Sequence, residues 1–140
     1  MDLPSKLQVF DFEYVTEFNK KYDGQFTVLC SLNMAQKHGL ELEKTRLLGN
    51  YLNPTDGLSG LAVILSNLRA KLTDGPPWWT QSNGGGTLEE EDLLVALFTK
   101  VQEVESKWKD DLKQKAKKAQ EAQATQKTEQ AAQQNPTPQS

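Results

Sequence analysis

One cysteine and one histidine among 140 residues leave little material for redox, metal or nucleophile chemistry. A single cysteine closes no internal disulfide, and Cys30, set among apolar neighbours, reads as core filler in a reducing compartment before it reads as a nucleophile. The usual zinc sets draw on several cysteines and histidines, so neither a metal nor a cofactor is expected, short of a site shared between subunits. Long apolar runs are also missing. Nothing approaches the roughly 18 consecutive apolar residues of a membrane span, and Met1-Asp2-Leu3-Pro4-Ser5 lacks the charged and apolar regions of a secretory signal, so the expectation is a cytosolic protein without a membrane partner. Neither sign of charge dominates, with 16 basic against 19 acidic side chains and a net charge of −3. What is present suits one modest domain: 36% hydrophobic residues and three tryptophans in a length that excludes large enzyme architectures.

The residues that could carry catalysis do not assemble into a site. Cys30 and His38 are the only nucleophile and base pair, and eight residues on one helix separate them by about 12 Å of rise. Gly84-Gly85-Gly86 ahead of a helix resembles a phosphate cradle superficially, but no lysine follows in the P-loop position and Glu89, Glu90, Glu91 and Asp92 repel an anion. A plain flexible hinge is the simpler reading. Glu103 with Glu105, and Asp110 with Asp111, read as solvated helical faces. No enzyme is expected.

Periodicity predicts helices almost throughout. Asp11 can cap a first helix, with Tyr14, Val15, Phe18 and Tyr22 at three-to-four-residue steps until Asp23-Gly24 stops it. Residues 25–38 are apolar all round and suit a central helix. A buried strand from Phe26 to Leu32, paired with Leu7 to Phe10, is the open alternative. A third helix runs from Leu40 to Tyr51. For the fourth, Asn53 caps, Pro54 fits the first position, and Leu58, Leu61, Leu65, Leu68 and Leu72 form a seam. Gly57 and Gly60 within it suggest a close helix approach. The fifth helix opens on a Thr87 to Glu90 capping box and carries Leu94, Leu97, Val101, Val104, Trp108 and Leu112 along a rod of about 37 Å. The two seams suggest that the last two helices pair antiparallel. The expected fold is all-α, a small bundle of about five helices over residues 1–112, followed by a polar extension over residues 113–140.

That extension is lysine-rich and then Gln/Ala-rich. Residues 119–134 contain no side chain both larger and more apolar than alanine, so a frayed or disordered tail that orders on a partner is expected. Residues 109–140 hold six lysines against four acids. Lys113, Lys115, Lys117 and Lys118 carry no interleaved aromatic and sit where a helix is expected to end, so they read as complements of its dipole rather than as phosphate contacts. Nucleic acid is therefore not an expected partner.

Trp78 and Trp79 stand out because they are adjacent in a stretch otherwise built of turn residues, Asp74 to Gly86. Burying one large apolar side chain is worth roughly 1.5–3 kcal/mol, so the pair either closes the end of the bundle or anchors a partner. Adjacent side chains diverge after a proline pair, which suggests one plug and one more exposed ring.

A leucine-seamed helix, a stop at Pro76-Pro77-Trp78-Trp79, a glycine loop and an acidic-capped helix through Leu93-Leu94-Val95-Ala96-Leu97-Phe98 to Glu105 and Trp108 together resemble tail assembly chaperones of tailed bacteriophages. The likeness covers residues 10–112; the Gln/Ala tail has no counterpart in it. The resemblance implies a non-enzymatic role in virion morphogenesis in the host cell cytoplasm. Such a protein coats the tape-measure protein, keeps it soluble, recruits tail-tube subunits and leaves before the particle is complete. Leu58, Leu61, Leu65, Trp78 and Trp79 are the residues expected near the client or a self-association surface. A structural virion component, such as a head-tail connector or completion protein, is the alternative.

Overall fold

Phe10, Phe12 and Tyr14 alternate with Asp11 and Glu13, and this two-residue period makes a strand where the wider spacing predicts a helix. The computed structural model describes residues 5–49 and 56–134. Its elements are β1 (Leu7–Val15), β2 (Lys21–Leu29), α1 (Met34–Leu48), α2 (Asp56–Lys71), β3 (Leu72–Asp74), α3 (Pro77–Thr80) and α4 (Glu91–Gln134). The expected all-α bundle is therefore corrected to a mixed α/β fold. Its three-stranded antiparallel sheet has the order β1-β2-β3.

The correction falls on the first 30 residues. Asp11 caps no helix; it lies mid-strand in β1, opposite Gln25. Glu17 to Lys20 form the hairpin loop, where the Thr16 N–H donates to Lys20 O and Asn19 takes a left-handed φ of 61°. The strand pairing left open for Phe26 and for Leu7 to Phe10 is present, with Phe10 opposite Phe26. The rest of the supposed central helix becomes the start of α1, which Asn33 and Gln36 cap reciprocally.

Two compact units are distinguished, residues 5–106 and the residues from Lys107 onward. In the first, the inner face of the sheet, with Phe10, Phe12, Phe26 and Val28, shares a buried core with Leu65, Leu68 and Leu72 and with Trp79, Leu93, Leu94, Leu97 and Val101. The helix packed closely on α2 is α1, not the last helix as the matched seams suggest. Lys71 at the end of α2 does reach Glu105 of α4 at 2.8 Å, and both side chains are largely buried. Glu105 is thus an ion-pair partner in the interior rather than part of a solvated face. Gly57 and Gly60 face open space, so close approach does not explain them. Asn53 and Pro54 lie outside the described residues.

From Lys107 on, Trp108 is buried, and Leu112, Ala116 and Ala119 are half-buried along one stripe of the helix. α4 has no break at Leu112, and its helical span includes residues 119–134. The lysines at 113, 115, 117 and 118 consequently lie mid-helix and exposed, so the dipole of a nearby helix end does not account for them. Among the described residues no helix is long and apolar enough to cross a membrane.

Candidate functional site

Pro76 and Pro77 set the position of both adjacent tryptophans. Pro76 holds an extended backbone at the N-cap of α3 and Pro77 opens its first turn, where a proline costs no hydrogen bond. The turn sends the two rings apart. Trp79 is buried beside Phe26, with ring centroids 6.3 Å apart. Trp78 is half-buried, packs against Tyr22 at 5.0 Å, Phe26 at 5.5 Å and Phe12 at 6.2 Å, and donates from Nε1 to Asp23 O at 2.8 Å. Both rings therefore tie α3 to the sheet, and the indole N–H that burial would leave unsatisfied finds a strand carbonyl.

The glycine loop is held rather than hinged. Ser82 Oγ donates to Trp79 O and accepts from the Gly85 N–H, and Asn83, Gly84 and Gly85 all have positive φ. Arg69 Nε donates to Gly84 O at 2.9 Å, and a Cβ on Gly84 would meet that side chain at 2.6 Å. The loop turns a carbonyl toward a guanidinium, the opposite polarity from a phosphate cradle. Thr87 belongs to this turn, its N–H donating to Ser82 O, and α4 starts later, at Glu91, without the expected capping box. The acids at that start anchor the hairpin instead. Asp92 accepts from Tyr14 Oη at 3.1 Å and from the Glu17 N–H at 3.0 Å, and buried Glu90 faces Lys20 at 3.6 Å.

Arg69 also reaches Glu43 of α1, which accepts two hydrogen bonds from Arg46, at 2.7 and 2.9 Å. The bonds from Arg46, then the one from Arg69, hold the Glu43 carboxyl down at about 2. Because this folded value lies below the ordinary 4.5, the stabilisation is complete above pH 4.5 and is lost as pH falls toward 2. Thermal melts of the protein and of Glu43→Gln should differ by a few degrees at pH 6, about 1 kcal/mol or less for so accessible a pair. The difference should shrink to a small fraction by pH 2; one that persists in full there means that the carboxylate charge is not what ties α1 to Arg69.

The residues expected at the client surface differ in exposure, although Leu65 and Trp79 both lie against Gly85. Leu65 and Trp79 are core residues, Leu61 and Trp78 are half-buried, and the Leu58 side chain lies outside the described residues. Cys30 is buried past the end of β2 and His38 is exposed on α1, so they sit on different elements. The apolar surface that is exposed lies elsewhere. No residue of α1 is buried, and Met34 (76% exposed), Leu42 (58%) and Val63 of α2 (37%) face solvent. The outer face of the sheet adds Leu7, Val9 and Val15, and the hairpin tip adds Phe18. The signal for α1 was in the sequence, because Leu40 and Leu42 point to opposite sides of a helix and cannot both face one core.

A second feature is a groove of about 410 Å³ between Asp11 to Tyr14 of β1 and Ala96, Thr99, Lys100 and Glu103 of α4. It contains no nucleophile paired with a base, and its chemistry is that of a strand edge beside a helix. Comparison of the chain with protein-family models, with curated proteins and with solved structures finds no match among any of the three.

Proposed function

We propose that the chain is a non-enzymatic tail assembly chaperone of a tailed bacteriophage. In this reading it acts in the host cytoplasm, binding and solubilising the tape-measure protein and recruiting tail-tube subunits before the particle is complete. The observation that carries the binding role is α1, a 15-residue helix with no buried residue. Its half-buried side packs on α2, which leaves Met34 and Leu42 exposed, and a client helix laid on these two would supply the missing apolar cover. The pattern from the leucine seam through Pro76-Pro77-Trp78-Trp79 to the acidic start of α4 supports the assignment to tail assembly. In this reading Leu61 and Trp78 are the half-exposed members of the set expected to meet the client, and Leu65 and Trp79 lie in the core.

The test is co-expression with the longest helical protein encoded beside the gene, scoring how much of that protein stays soluble and co-purifies. Rescue is expected, and Met34→Glu with Leu42→Glu should reduce co-purification at least tenfold, since each buried apolar side chain is worth roughly 1.5–3 kcal/mol. An unaffected long protein, with this chain found in mature particles, would replace the chaperone by a structural virion component.

A further inference from the structure

The hydrogen-bond register of the hairpin decides which backbone groups of β1 are left over. Outside the strands proper, the Cys30 N–H donates to Lys6 O and the Thr16 N–H to Lys20 O, both at 2.8 Å. Both pairs continue the register that sets Phe10 opposite Phe26. In an antiparallel ladder the bonded pairs alternate, so the even residues from Lys6 to Thr16 exchange bonds with β2. The N–H and C=O groups of Val9, Asp11 and Glu13 therefore point away from the sheet. Leu7 lies on the same side, and its N–H is met by Ser5 Oγ at 3.2 Å. The sheet order places β1 at an edge, and among the described residues no other strand pairs with it.

Edge strands are ordinarily closed by lysine, proline, a bulge or a short length. β1 has nine residues, neither lysine nor proline, and an unbroken register with β2. Its edge instead opens on the groove walled by Ala96, Thr99, Lys100 and Glu103. We propose that this edge is a strand-addition site for an extended basic peptide, with lysine or arginine at two alternate positions and small apolar residues between them.

The alternation follows from the pleat. A residue of the added strand lies on the same face as the β1 residue opposite it. Positions opposite Asp11 and Glu13 thus emerge on the outer face beside two exposed carboxylates, with Asp23 one strand further in. Lys21 offsets part of this charge through Glu13 at 3.1 Å, leaving the outer face acidic. Positions opposite Phe12 and Tyr14 enter the side of the groove bounded by Ala96 and Thr99, an uncharged wall that suits small apolar side chains. The same acids argue against a second copy, because full-length antiparallel self-pairing centres on Asp11 and sets it against its own counterpart. This site is separate from the α1 surface and does not depend on the chaperone reading.

The probe is a seven-residue synthetic peptide alternating lysine with valine, added to the full chain while amide exchange is followed by NMR. In the free protein the amides of Val9, Asp11 and Glu13 should exchange rapidly, while those of Phe10 and Phe12 are protected by β2. Saturation with the peptide should slow the first three at least tenfold, and the effect should weaken with added salt. Charge reversal at two exposed positions, Asp11→Lys with Glu13→Lys, should raise the peptide Kd at least tenfold without moving the amide spectrum of the core. Asp11→Pro removes one outward donor and leaves the bonds to β2 intact, so it too should abolish the protection. Binding that leaves the three amides exchanging as before overturns the proposal, as does equal protection by a peptide alternating glutamate with valine.

Discussion

Phe26→Ala is expected to lower the unfolding free energy by about 3–5 kcal/mol, the usual cost of emptying a phenylalanine site in a packed core. Phe26 is fully buried and is the common neighbour of Phe10, Phe12, Trp78 and Trp79, with ring centroids between 5.5 and 6.3 Å. Removing it opens a cavity bordered by four rings on β1 and α3, and large rigid rings collapse poorly into such a space. Against a total stability of about 5–15 kcal/mol for a domain, that is about a fifth or more of what holds residues 5–106 together. Urea unfolding followed by tryptophan fluorescence measures it, because Trp78 and Trp79 both report on the site. Phe18→Ala, at the exposed hairpin tip, is the matched control and should cost about 0.5 kcal/mol or less. Equal losses for the two substitutions would mean that the aromatic cluster is not the centre of the core.

Gly24→Ala should cost about 2–4 kcal/mol for two reasons that act together. Its φ is +153°, a conformation that L side chains rarely adopt, and an added Cβ would lie 2.6 Å from Cβ and Cγ of Pro76. The proline ring cannot swing aside as a long side chain would, so β2 and the start of α3 must separate. Gly60→Ala should have the opposite sign. That residue is exposed within α2 and meets nothing within 4 Å, so alanine there gains up to about 1 kcal/mol of helix propensity. Denaturation midpoints with unchanged slopes would report both effects. A Gly24→Ala variant as stable as the parent would show that α3 is not seated on β2.

Much of the chain after residue 56 was legible because helix signals there are local. The leucine seam from Leu61 to Leu68 lies on α2, with Leu72 opening β3, and the apolar stripe from Leu94 to Val101 lies buried on α4. The divergence of Trp78 and Trp79 was also legible, since a proline pair dictates the turn that separates them. The first 30 residues read as helix because Tyr14, Phe18 and Tyr22 recur every four residues. The competing period of two in Phe10, Phe12 and Tyr14, repeated in Tyr22, Phe26, Val28 and Cys30, was the stronger clue. Gly24 hides that second run by removing one inward side chain where Pro76 must approach.

By itself, the sequence determined the break at Asp74 to Pro77 and which residues are apolar enough to be buried, because turn chemistry and hydrophobic patterning act over a few residues. The hairpin turn at Glu17 to Lys20 fell inside an expected helix. Only the tertiary structure decided what each buried residue packs against. Leu65 and Trp79, equally suited to a partner or a core, went to the core because β1 and β2 offered Phe12 and Phe26 as neighbours to α3. Glu90, Asp92 and Glu105, ordinary surface acids in the sequence, became anchors for Lys20, Tyr14 and Lys71. The free edge of β1 has the same origin. A strand's second set of hydrogen-bonding groups is left open or closed by elements distant in the chain, and no local pattern of residues encodes which.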